Sequence, residues 1–267
     1  MSRLEEIITS DQKIRSIVVE ILESGESLGI AQPRSFTYDY EYLAVYAISK
    51  KDWQLTKQHF FTSGYMALIA VDVFGSDMFS YALGSEAFPL LSDNEQLIKG
   101  YAKGTYGKRG KMNSMPEDVE AGKGGVWVYA VQQFMLNNTS EIERVLNILE
   151  LKGLKNLRRN EQELRFDYEF YKALFARDKA KMEEVLEALT SKKVHKKRQP
   201  SAIMAEYISY PAVGYAKLAW RAGIEVECSS PYVPKELLPI EPLAEYKIEY
   251  DFLKEFIETG TIQNIEL

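Results

Sequence analysis

The sequence predicts an all-α protein, an irregular array or bundle of antiparallel helical hairpins. Three observations predict it. Apolar residues recur at three- and four-residue spacing along most of the chain, as they do on a helix with one buried face. Glycines, prolines and capping residues cut that pattern into segments of helical length. Strand-like alternation is nearly absent, with Ile224-Glu-Val-Glu-Cys228 as the single candidate. No ~34-residue period with repeated Trp, Gly, Tyr and Pro positions emerges, so the hairpins do not read as a regular solenoid.

Each element follows in order. Leu4, Ile7, Ile8, Ile14, Ile17, Val18, Ile21 and Leu22 share helical spacing over residues 4–22, which Gly25 and Gly29 end. Pro33 opens a turn, and Tyr38, Tyr42, Val45, Tyr46 and Ser49 mark one face of a helix over 37–50. Asp52 is a candidate N-cap for a long apolar helix reaching Phe74, inside which Gly64 permits close packing. Gly75, Gly84 and Pro89 break the next stretch. Ser92 and Glu95 have capping-box spacing for a helix running to Gly100 or Lys103, as do Ser140 and Glu143 for a later one. Between them, Pro116 opens a helix through Trp127, Phe134 and Met135, whose first half Gly122, Gly124 and Gly125 weaken. Ile142, Val145, Leu146 and Leu149 form a stripe that Gly153 ends. Helices over 156–177, 178–191 and 201–221 follow, the last kinked at Pro211 and stopped by Gly223. Four prolines between Pro231 and Pro242 mark an extended crossing segment before a final helix over 243–258. Trp127, Phe134, Leu146, Leu174, Leu186 and Leu218 are the expected core.

The 267 residues are 46% hydrophobic, enough for a sizeable core. They read as one all-helical domain over 1–267, with room for N-terminal (1–110) and C-terminal (111–267) halves. One cysteine, Cys228, rules out an internal disulfide and argues against a thiolate metal site. The start, MSRLEEIITSDQ, lacks the apolar core of a signal peptide. The longest apolar stretch, Tyr65 to Phe74, contains Asp72 and is half the ~20 residues a bilayer span needs. A cytoplasmic location without a membrane partner is the expectation.

Charge is distributed unevenly. The formal net charge is −6. From Ile224 onward ten acids stand against three lysines, so this last sixth of the chain carries −7 and residues 1–223 carry +1. Such an end repels nucleic acid and suits a basic partner, or is a solvated surface that aids solubility.

Chemistry-bearing constellations are scarce. His59 sits in an aromatic run and reads as a packing residue. His195 lies among Lys192, Lys193, Lys196, Lys197 and Arg198, a run read as a solvated helix C-terminus rather than a nucleic-acid patch. Neither histidine has a second within helical reach, so no histidine metal site is expected. Glu117, Asp118 and Glu120 suit a helix start, and Glu163 and Asp167 share a face with Arg159 and Arg165 nearby to neutralise them. The Gly100–Lys111 segment fails as a phosphate loop. Arg109 follows Lys108 where Ser or Thr is needed, and Ala102 stands where glycine is required. What is left is a loop with Lys99, Lys103, Lys108, Arg109 and Lys111, a partner contact or a surface excursion. No catalytic residue, cofactor or metal is expected.

One stretch carries a resemblance. In residues 209–239 an Ala- and Leu-rich helix ends in Arg221-x-Gly223, and an acid-flanked extended piece follows. Then comes a Ser-Pro-x-x-Pro-x-Glu-Leu-Leu element made by Ser230, Pro231, Pro234, Glu236, Leu237 and Leu238. This is similar to the C-terminal part of bacterial polymorphic-toxin immunity proteins, nearest the immunity protein 49 family, and the rest of the chain has a comparable all-helical layout. The resemblance implies an antitoxin that binds and blocks a cognate toxin, often a nuclease, with no catalysis of its own.

The charge pattern and the resemblance together point to Glu225, Glu227, Glu241, Glu245, Glu249 and Asp251 as charge partners of a basic toxin, with Tyr232 as aromatic anchor. A helical adaptor binding a peptide or protein in a concave groove is the alternative. An enzyme with a carboxylate- or lysine-based site is the third reading.

Overall fold

The computed structural model describes residues 2–76, 87–108, 113–199 and 201–266. It is 70% helical and has no strand among the described residues, so the fold is all-α. Gly84 and the Arg109–Lys111 part of the cationic loop lie outside the described residues.

The N-terminal helices are α1 (Arg3–Glu23), α2 (Ala31–Ser49) and α3 (Trp53–Asp72). Ser2 and Glu5 form a capping box on α1, and Asp52 caps α3 by accepting from the Leu55 amide at 3.0 Å. Pro33 lies inside the first turn of α2 rather than in a turn before it, where a missing N–H costs nothing. The buried face of α2 is Phe36, Tyr40, Ala44, Val45 and Ile48, and Tyr38 points outward. Helices α2 and α3 form the most extensive pairing in the molecule. At Gly64 a Cβ would come within 2.7 Å of Leu97, the close approach that glycine permits.

Next come α4 (Ala87–Ser92) and α5 (Glu95–Lys103). Asn94, not Ser92, caps α5, accepting from the Leu97 amide at 2.8 Å, and Ser92 instead closes α4. The helix expected from Pro116 onward is two, α6 (Met115–Ala121) and α7 (Gly125–Met135). Gly122 separates them at φ +66°, a conformation other residues adopt only with strain. Helix α8 (Thr139–Ile148) is preceded by Asn138, so Ser140 sits inside the first turn rather than at the cap. Gly153 does not stop the chain's helical course. A π-turn over Leu149–Gly153 leads into the short α9 (Leu154–Asn156).

A 3₁₀ turn (Arg159–Leu164) precedes α10 (Arg165–Phe175), followed by α11 (Lys179–Thr190) and α12 (Lys192–Arg198). The helix expected over 201–221 is shorter, α13 (Tyr210–Arg221), and Pro211 lies in its first turn, so no kink arises. The last helix, α14, starts at Asp251 and ends at Thr259, later than the expected residue 243. Residues 243–250 stay extended because α3 and α4 supply their partners. Gln58 pairs with both the N–H and the C=O of Lys247 at 2.9 Å, and the Tyr246 hydroxyl donates to the Ser92 carbonyl.

The Ile224–Cys228 alternation is real, since Ile224, Val226 and Cys228 are buried and Glu225 and Glu227 are exposed. It is not a strand. Glu183 and Glu187 of α11 accept from the Glu227 and Ser229 amides, so side chains replace a ladder. The core gathers Trp127, Leu146, Leu174, Leu186 and Leu218 as expected, while Phe134 is only half-buried. Helix α13 packs against both α4 and α11, linking early and late parts of the chain.

Candidate protein-binding surface

The acidic end of the chain is held in place by two buried lysines. Lys217 lies in the middle of the apolar helix α13 and is fully buried, as is Asp93, which joins α4 to α5 at φ +58°. The Lys217 ammonium lies 2.7 Å from Asp93, and that of Lys57 lies 2.9 Å from it. The remaining protons go to the proline-rich segment. Lys217 donates to the Leu237 and Pro239 carbonyls at 2.8 and 2.6 Å, and Lys57 donates to the Glu241 carbonyl at 2.6 Å. Asp93 also accepts from the Glu241 amide at 3.2 Å. Extended backbone cannot bond to itself, so these buried charges satisfy it. Burial pulls the Lys217 pKa down to about 8, against the pull of Asp93 in the other direction.

A second buried network fixes the helices beneath. Asp167 of α10 accepts both Arg198 nitrogens and the Tyr215 hydroxyl, and the Tyr215 and Tyr171 hydroxyls lie 2.9 Å apart. Glu163 pairs with Lys197. The partners of these two acids therefore come from the basic run on α12, not from Arg159 and Arg165. His195 is buried, bonds the Ala205 carbonyl at 2.7 Å and stacks on Tyr232 at 4.1 Å.

The structure puts the acids singled out in the sequence in three places. Glu225 and Glu227 are exposed beside α11. Glu241 and Glu245 border a groove of about 800 Å³ between the start of α3 and the crossing segment, together with Asp52, Glu236, Trp53 and Leu55. Leu55 is 41% exposed there. Glu249 and Asp251 border a separate cleft of about 370 Å³ against α1. Glu249 also accepts a hydrogen bond from the Tyr40 hydroxyl. Tyr232 is half-buried, with one ring face on His195.

Other features are structural in this arrangement. Burial pushes the His59 pKa down to about 4, so its ring, 5.8 Å from Tyr40, is neutral. Lys99 and Lys103 belong to α5, and Lys108 lies 3.5 Å from Glu117. Among the described residues no group of three or more His, Cys, Asp or Glu is placed to hold a metal ion, and no helix is long and apolar enough to cross a membrane. Sequence reasoning missed Trp53 and Leu55 of the groove and the Lys57–Asp93–Lys217 cluster. A lone lysine in Tyr-Pro-Ala-Val-Gly-Tyr-Ala-Lys-Leu-Ala-Trp was the available signal for the latter.

Residues 123–237 match the family model of immunity protein 49. The match spans less than half of the chain and marks a similarity to that family over these residues. It takes in residues 209–237, where the sequence resemblance lies, and covers α7 to α13, the whole Asp167 network and Lys217. Helices α1 to α6, α14 and the acids from Glu241 onward fall outside the immunity protein 49 match. No curated protein and no solved structure matches the chain.

Proposed function

We propose that the protein is an immunity protein that binds and neutralises a cognate bacterial toxin in the cytoplasm, acting by occupation of the toxin and not by catalysis. The match of residues 123–237 to immunity protein 49 carries this reading. The exposed acids Glu225, Glu227, Glu241, Glu245 and Asp251 support a basic toxin surface as the partner, since opposite potentials steer encounter and discriminate among partners. A nuclease fits that description, because its cleft must attract phosphates and an acidic surface can stand in for them.

Co-expression with the product of the neighbouring gene tests the proposal. Growth rescued by this chain, with a complex recovered from the cells, is the expected result. A neighbouring product that is not toxic, or toxicity that this chain does not relieve, overturns it. Binding without relief of toxicity points instead to a helical adaptor.

A further inference from the structure

The cleft against α1 differs from the other acidic surfaces in how it is built. Its floor is apolar, made by Val19, Leu22, Leu28, Phe252 and Ile262. Its rim carries Glu23, Glu26, Glu249, Asp251 and Glu255, and neither lysine nor arginine contributes to the lining. Among the described residues no cation lies within 4 Å of Glu23, Glu26, Asp251 or Glu255, and Glu249 has only Lys247, at 3.9 Å. The walls are fixed. Leu28 exchanges backbone hydrogen bonds with Asn264 and Glu266 at 3.0 and 2.9 Å, and Ser27 donates to the Asn264 side chain at 2.8 Å. On the opposite side Tyr40 holds Glu249, and Phe36 stacks on Tyr250 at 5.2 Å.

A lysine or arginine side chain has the matching form, an apolar stem beneath a charged head. The stem would lie on Leu22 and Phe252 and the head would reach the carboxylates, where charge-assisted hydrogen bonds are stronger than neutral ones. Carboxylates gathered on one rim repel each other, and a cation entering between them relieves that repulsion. Every residue of the cleft lies outside 123–237, so this feature is separate from the part of the chain that matches the family model.

We infer that this cleft seats a lysine or arginine side chain of the toxin and thereby helps set which toxin is accepted; the inference rests on the immunity reading above. Discrimination by such a pocket is a difference of affinities, since a partner lacking the cation leaves the carboxylates facing a dry, uncompensated contact.

The test uses the full chain, the neighbouring gene product in inactivated form, and a tetralysine peptide as an independent probe. One variant combines Glu23→Gln, Glu26→Gln and Asp251→Asn; a control combines Glu6→Gln, Glu143→Gln and Glu206→Gln, exposed acids outside the cleft and outside the acidic end. Tetralysine is expected to shift the amide resonances of residues 22–28 and 249–255 in the parent and not in the cleft variant. The cleft variant is expected to lose about tenfold or more in affinity for the gene product, and the control much less. Unmoved cleft resonances, or a cleft variant that binds the gene product as the parent does, sink the cleft proposal and leave the immunity reading standing. A parent chain that fails to bind the gene product at all removes the immunity reading, and this partner with it. Loss of self-association in the cleft variant by sedimentation also overturns the proposal, because the occupant is then a second copy of this chain.

Discussion

At the scale of single residues, the informative positions are buried charges. Glu41 of α2 is 2% exposed and lies against Tyr210, and burial pushes its pKa up to about 8 from 4.5. The folded state therefore keeps a proton that the unfolded chain releases as pH rises past 4.5. Stability contributed by the protonated form is full below that value and is lost as pH rises through about 8. Asp39, pushed up to about 6 by burial and by Asp11, adds a loss of the same sign at lower pH. Replacing Glu41 with Gln should leave stability near pH 4 almost unchanged. It should raise it by on the order of a few kcal/mol at pH 8. Urea melts at both pH values check this, and equal gains at the two sink it. Asp93→Asn acts oppositely, because it leaves two buried ammonium groups without their counterion. A loss of ~3–5 kcal/mol is expected, with faster amide exchange over residues 237–247.

At the scale of elements, the joints matter more than the helices. Between α6 and α7, Gly122 has φ +66°, and an added Cβ would meet Gly153 backbone nitrogen at 2.9 Å and the Lys152 side chain at 2.6 Å. Gly122→Ala should therefore lower stability by ~1–3 kcal/mol, measured by thermal melting. Gly75, also at positive φ, would meet nothing within 4 Å, so Gly75→Ala should cost less. On the stripes, Leu174→Ala should cost ~2–5 kcal/mol, because the residue is 4% exposed in the shared core. These joints also show where the sequence could be read and where it could not. Asp52 was legible as a cap because its signal is local. Ser92 and Ser140 had the right spacing for caps, yet Asn94 and Asn138 stand at those positions; Asn94 accepts from the Leu97 amide, while Asn138 makes no side-chain bond to its helix. Pro211 was read as a kink, yet it stands in the first turn of α13, and residues 201–209 form separate turns with a 3₁₀ piece at Met204–Glu206, so no continuous helix runs through the proline.

At the scale of the whole molecule, we propose that residues 1–267 unfold as one unit. α13 packs on α4 and α11, and Lys217 ties Asp93 to the crossing segment, so loosening one part strips contacts from another. A single denaturant transition, coincident by circular dichroism and by fluorescence of the three tryptophans, is the expected outcome; two separated transitions would divide the chain. The acidic surface is the converse case. Glu225→Lys, Glu241→Lys and Glu245→Lys together should leave the melting temperature nearly unchanged, since exposed charges contribute little to stability. The same triple change should slow association with a basic partner steeply, and less so as salt rises. Unchanged association at low salt would move the interface elsewhere.

The sequence by itself determined the all-α class, the order of most helices, the apolar stripes and the concentration of acid after Ile224. Each of these follows from periodicity or composition, which need no knowledge of distant residues. Tertiary structure alone decided that the acids divide among α11, the groove at Trp53 and the cleft against α1. It also decided that residues 243–250 remain extended instead of joining the last helix. Gln58, nearly two hundred residues earlier, satisfies the Lys247 backbone, and the Tyr246 hydroxyl donates to the Ser92 carbonyl about one hundred and fifty residues away; no local pattern encodes a partner at that separation.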